Sequence, residues 1–173
     1  MSGTLKQVID AQNSLYEICG FKVQNFIAEN ESAEYYAHSY SLEGKNVRFR
    51  IAKKTPTKTG WFVTMWKRNP DKIIAPYDSS DQVDLFVVNI IDQGKISQFV
   101  FPKSVLVEQN IFSRLSKGGK RAIRVYSPWD KTNNIQATKT KKWQIQYFVD
   151  ITSKNSANIE KIKDLYTLIY LNR

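Results

Sequence analysis

At 173 residues, with 42% hydrophobic and 24% charged positions, the chain has room for one core and falls outside the disordered and collagen-like classes. A single cysteine, Cys19, excludes an internal disulfide, and with His38 as the sole histidine a zinc site of the usual His/Cys kind is excluded too. The net charge of +10 is segregated: residues 44–72 and 114–142 carry +8 each, whereas residues 1–43 carry −4 and residues 73–113 carry −3. If the two blocks meet in space, they make a basic face that attracts polyanions.

Thr4-Leu5-Lys6-Gln7 has capping-box spacing, which predicts a first helix with the Thr4 hydroxyl and the Gln7 side chain on its free amides. Leu5, Val8, Ile9, Leu15, Tyr16 and Cys19 fall on one helical stripe, and Gly20 can take the left-handed turn that ends it. Cys19 therefore reads as a small buried hydrophobe. Tyr36 to Leu42 is predicted as a strand and Glu43-Gly44-Lys45 as a turn. Asn46 to Ala52 follows as a half-buried strand, with Val47, Phe49 and Ile51 on one face and Arg48 and Arg50 on the other.

Lys53 to Gly60 reads as a basic loop, and Trp61 to Trp66 as the returning strand of a hairpin. In Val83 to Ile91 the apolar residues are adjacent, as in a central strand covered on both faces; the run is too short to cross a bilayer. Asp92-Gln93-Gly94-Lys95 makes a tight turn into a strand from Ile96 to Phe101, ended by Pro102, and Lys103 to Phe112 is expected to hold a short helix. The basic loop Lys117 to Lys120 precedes a strand from Arg121 to Tyr126.

Thr138 to Asp150 supports two readings. Trp143, Ile145, Tyr147 and Val149 alternate as in a strand, which is the reading preferred here, while Trp143/Tyr147 and Gln144/Phe148 pair at helical spacing. Ser156 can cap a closing helix with Ile159, Ile162, Leu165, Tyr166, Ile169 and Tyr170 on one face. The expected architecture is a single α+β domain over residues 1–173, a mixed and largely antiparallel sheet with N- and C-terminal helices.

No G-x-G-x-x-G or P-loop motif is present, so no nucleotide cofactor is expected. His38 lies in the alternating segment and is assigned an ordinary structural or surface role rather than a catalytic one. What remains is basic residues interleaved with aromatics. Arg48 and Arg50 would project about 6.6 Å apart, close to the spacing of neighbouring phosphates. Lys53, Lys54 and Lys58, set among threonines, add donors for phosphate oxygens, and Lys67 and Arg68 extend the charge.

Trp61 and Trp66 flank the returning strand; core packing is the expected role for most such rings, and stacking on a base requires an exposed one. Arg121, Arg124, Lys139, Lys141 and Lys142 form a second candidate patch, and Lys103 is also assigned to nucleic-acid contact. The expected partner is nucleic acid, DNA in the first instance, held through its backbone in the cytoplasm, with neither a membrane nor a small-molecule substrate involved. A protein-binding role, through an acidic patch or the C-terminal helix, is a further alternative.

The stretch V-R-F-R-I-A-K-K-T-P-T-K-T-G-W-F-V-T-M-W-K-R (Val47 to Arg68) resembles the MepB family of bacteria. So do D-L-F-V-V (Asp84 to Val88), Q-F-V-F-P-K-S-V-L (Gln98 to Leu106), R-A-I-R-V-Y-S-P-W (Arg121 to Trp129) and K-W-Q-I-Q-Y-F-V-D (Lys142 to Asp150). The resemblance implies a restriction-endonuclease-like fold, α/β in kind, and nucleic-acid affinity rather than established catalysis.

A nuclease of that type places an Asp at the head of one strand and an acid-x-Lys on the next, to hold Mg²⁺ and assist the attacking water. Asp84 occupies the first position, but the aligned triplet Gln98-Phe99-Val100 carries an amide and no lysine. Glu43-Gly44-Lys45 has the right letters in a predicted turn, and Lys103 could take the lysine role. The expectation is a non-catalytic binding protein on a degenerate nuclease scaffold, without metal or cofactor. The alternative is a Mg²⁺- or Mn²⁺-dependent nuclease built from Asp84 with Gln98, Glu108 or Asp92.

Overall fold

The Ser2 hydroxyl accepts the Leu5 N–H at 3.2 Å, so the first helix, α1 (Gly3–Cys19), starts ahead of the predicted capping box, with Ser2 rather than Thr4 as its cap. Gly20 ends it at φ 73°, as its sequence position predicts. The structure is a computed structural model describing residues 1–167, and Ile169 and Tyr170 of the predicted closing stripe lie outside the described residues.

The strands after α1 are β1 (Val23–Ala28), β2 (His38–Leu42), β3 (Lys45–Ile51), β4 (Lys53–Lys54), β5 (Trp61–Thr64), β6 (Trp66–Arg68), β7 (Ile74–Pro76), β8 (Leu85–Asp92) and β9 (Lys95–Pro102). There follow α2 (Lys103–Glu108), β10 (Ala122–Val125), α3 (Ile135–Gln144), β11 (Phe148–Asp150) and α4 (Ser156–Thr167). A six-stranded sheet in the order β1-β2-β3-β8-β9-β11 forms the centre; only β3 and β8 pair in parallel, so the sheet is mixed and largely antiparallel. Two smaller sheets, β10-β5-β4 and β6-β7, stand beside it. The β2–β3 and β8–β9 turns place Glu43-Gly44 and Gln93-Gly94 at positive φ, the two-residue hairpin geometry that suits the twist of the strands.

Alternation along β3, β8 and β9 sorts the core into two clusters. Val47, Phe49, Ile51, Leu85, Val87, Ile96 and Val100 pack with Leu5, Val8, Leu15 and Tyr16 of α1 and with Ile162, Leu165 and Tyr166 of α4. Phe86, Val88, Ile90, Phe99 and Phe101 pack on the other face with Trp61 and Val63 of β5, Ile123 and Val125 of β10, Leu106 of α2, and Tyr77 and Phe112. β8 is covered on both sides, as its unbroken apolar run predicts.

Two further differences appear. Thr138 to Asp150 is mostly helical: Asn134 Oδ1 accepts the Ala137 N–H at 2.8 Å and starts α3, a 3₁₀ turn over Ile145–Tyr147 follows, and only Phe148–Asp150 pairs with β9. The helical spacing wins because it brings Trp143 and Tyr147 together over Phe101, at ring separations of 5.3 and 6.0 Å. β1, which the sequence did not signal, pairs with β2 through a bulge at Asn25 (φ 56°). His38 takes the structural place expected of it, stacked on Phe26 at 4.5 Å with Nδ1 against the Tyr36 carbonyl at 2.8 Å. Among the described residues no helix is long and apolar enough to cross a membrane.

Candidate nucleic-acid interface

The first basic block does not form an open face, because the acidic segments fold onto it. Glu29, just past β1, bridges Arg48 at 3.0 Å and Arg50 at 2.6 Å. Glu31 meets Arg68 at 3.5 Å, Asp81 meets Lys67, and Asp92 meets Lys54 at 2.7 Å. The hydrogen bond from the Lys54 ammonium holds the Asp92 carboxyl below the usual carboxylate range, helped by the Trp129 indole N–H.

Arg50 lies on the face of β3 opposite Val47 and Phe49, as alternation predicts, but that face is covered. Its guanidinium is fully buried, donates to the Phe49 carbonyl at 2.8 Å and sits 5.2 Å from the Phe86 ring. It cannot reach a phosphate, so its assignment to the interface is corrected. Trp61 is corrected for the same reason: it is core, 4% exposed, with the Lys54 ammonium over its ring at 4.7 Å. Arg48 is half-buried over Tyr77, and Lys103 donates to the Asp81 carbonyl at 3.0 Å. Lys53 is exposed above the Tyr35 ring. Lys141 is held by the carbonyls of Pro128 and Asp130 at 2.8 and 2.7 Å, where it closes the loop leading into α3.

The second block opens onto a cleft of about 560 Å³ between α3, β10 and the loop joining β4 to β5. Lys58, Lys120 and Arg124 line it together with Thr57, Thr59, Thr132, Thr140, five Asn and Gln side chains, and Trp143; no carboxylate does. Gln144, fully buried, fixes the two walls: its Oε1 accepts the Tyr126 N–H at 2.9 Å and its Nε2 donates to the Arg124 carbonyl at 2.9 Å. Arg124 in turn donates to Thr55 Oγ1 at 2.7 Å and stands 5.8 Å from the Phe62 ring, tying the β4–β5 loop to β10. Its charge meets no carboxylate among the described residues, and neither does that of Lys58 or Lys120.

The structure thus brings predicted residues Lys58 and Arg124 together at the cleft, whereas Arg121, Lys139 and Lys142 are exposed and are not among the residues that line it. Sequence reasoning missed Lys120 and the uncharged lining. The signal available was the run Thr132 to Thr140, rich in hydroxyls and carboxamides and free of acid.

The residues of the metal-dependent alternative are not assembled. Asp84 precedes β8 and accepts the Asn46 N–H at 2.8 Å, whereas Asp92 ends β8, eight residues or about 27 Å along the strand. Gln98 pairs in register with Asn89 rather than Asp84 and points to the helical layer, where it donates to Gln12 at 2.8 Å. Glu108 is exposed at the end of α2. Among the described residues no group of three His, Cys, Asp or Glu side chains is placed to hold a metal ion.

A protein-family model described as MepB-like matches residues 29–150. A crystal structure of MepB superposes with a TM-score of 0.73 at 33% sequence identity, covering 83% of this chain and 98% of that one. A bacterial homing endonuclease superposes with a TM-score of 0.46 at 16% identity, covering 83% and 91%. No curated protein matches the chain.

Proposed function

The chain belongs to the MepB-like family, and from that premise we propose that it binds nucleic acid, DNA in the first instance, through phosphate contacts at the cleft between α3, β10 and the β4–β5 loop. One observation carries this reading: Lys58, Lys120 and Arg124 share a polar cleft without a carboxylate, in a molecule where Arg48, Arg50, Lys54, Lys67 and Arg68 are ion-paired. A polyanion gains most where cations have no internal partner to give up. The separation of Asp84 from Gln98 and Asp92 supports binding without strand cleavage, and a cytoplasmic place of action fits a chain with one cysteine.

Anisotropy titration of labelled duplex DNA over a range of salt concentrations tests the proposal. With about three to five phosphates neutralised at the cleft and its edge, log K should fall against log salt with a slope between about −3 and −5. Affinity indifferent to salt, or no binding at low salt, would refute it.

A further inference from the structure

A site that meets only phosphates needs only donors, because phosphate oxygens accept and never donate. The cleft holds more than that. Gln109, Asn133 and Gln136 present carboxamides there, and none of the three side chains is taken up by a hydrogen bond within the described chain. Each offers an acceptor beside its donors, a pairing that matches the mixed edges of bases and has no counterpart on a phosphate. Asn134 and Gln144 line the same cleft but are engaged, the first as the cap of α3 and the second between β10 and α3.

Trp143 adds an apolar surface. It packs on Phe101 and Tyr147 on the core side and lines the cleft on the other, where the flat face of a base could rest. At about 560 Å³ the space lies within the ~300–1,000 Å³ range of sites that enclose a small molecule, which leaves room for more than a phosphate.

We infer that the cleft contains a base-reading subsite, in which the cations Lys58 and Lys120 take the phosphate of one nucleotide unit while Gln109, Asn133 and Gln136 meet its base edge over Trp143. This rests on the nucleic-acid reading of the same cleft and adds base selectivity to it. The nucleotide unit is supplied by a strand or by a free nucleoside monophosphate, since both present the same phosphate, sugar and base.

The test uses labelled oligo-dA, oligo-dC and oligo-dT of roughly 12 nucleotides, within the usual span of a strand-binding groove, at one fixed salt concentration. Sugar and phosphate are common to all three, so contacts to either produce no difference among them. The wild-type chain should separate the best from the worst homopolymer by about fivefold or more, the low end of discrimination by a carboxamide on a base. In the variant Gln109→Leu/Gln136→Leu that spread should fall below about twofold, while Lys58→Ala weakens all three alike.

Unlabelled nucleoside monophosphates added as competitors should displace the strand in the same base order. Equal affinity for the three strands, or a spread unchanged in the carboxamide variant, overturns the base-reading subsite and leaves the phosphate reading standing. No binding of any strand overturns the base-reading subsite, and if duplex DNA is also unbound, or bound as well by Lys58→Ala as by the wild type, the phosphate reading falls with it.

Discussion

Arg50 shows how a charged residue can belong to the core. Removing its side chain leaves Glu29 with one arginine instead of two and opens a large space beside Phe86 and Tyr77. Breaking a buried ion pair from one side costs about 3–5 kcal/mol. Arg50→Ala is therefore expected to lose about 3 kcal/mol or more in urea unfolding while the salt slope of nucleic-acid binding stays as in the wild type. A stable variant with a flatter slope would return Arg50 to the interface. The alternation of β3 told which way Arg50 points, but not that Tyr77 and Phe86, distant in sequence, cover that side.

Asp78 is a second residue whose surroundings set its behaviour. Its carboxylate accepts from Ser113 Oγ at 2.6 Å, Ser116 N at 2.9 Å, Ser80 N at 3.0 Å and Ser80 Oγ at 2.7 Å, and these bonds, that from Ser113 foremost, hold it well below the usual carboxylate range. As pH falls, the unfolded chain takes up this proton first, near its ordinary pKa of about 3.9. The stabilisation is thus complete above about pH 5 and is lost progressively below about pH 4. Asp78→Asn should flatten the dependence of unfolding free energy on pH between about 5 and 3; an unaltered dependence would show that these bonds do not discriminate the charged form.

At the scale of elements, the cleft depends on how closely β5 and β10 approach. Gly60 enters β5 at φ 85°, and a Cβ there would lie 2.7 Å from the Tyr126 ring and 2.9 Å from the Val125 carbonyl oxygen. Gly60→Ala should push β10 from β5 at a cost of about 1–3 kcal/mol, and with Lys58 drawn away from Arg124 it should also weaken DNA binding. An unshifted Tm with unshifted affinity would contradict this account of the cleft wall. The elements most legible in the sequence were those with local signals: Gly20 at the end of α1, the Gly44 and Gly94 hairpins, and the apolar run of β8. α3 was misread because Trp143 to Val149 satisfies both periods, and long-range packing on Phe101 settles the choice. β1 has no alternation to find: it lies at the edge of the sheet with a bulge, and Ile27 stays exposed.

Across the whole molecule, the two basic blocks that look equivalent along the chain have different fates. Residues 44–72 are met by carboxylates from Glu29 to Glu31 and from Asp81 to Asp92, segments that the sheet order brings alongside. Lys120 and Arg124 of residues 114–142 meet no carboxylate among the described residues and line the cleft, joined there by Lys58 from the first block. The sequence showed the amount of charge and its grouping; pairing across the sheet, which decides how much stays available, is a tertiary property. That is why Lys58 and Arg124 meet at one cleft without a carboxylate partner among the described residues, while Arg48, Arg50, Lys54, Lys67 and Arg68 are engaged in ion pairs.

The salt dependence of DNA binding compared between two double variants tests this difference most directly. Lys58→Ala/Lys120→Ala should flatten the slope of log K against log salt by about two units, because each lysine releases about one counterion's worth of phosphate contact. Lys67→Ala/Arg68→Ala, which removes ion-paired cations, should leave that slope as in the wild type. The opposite pattern, an unchanged slope for the cleft pair and a loss of about two units for the ion-paired one, would contradict the assignment of the interface to the cleft.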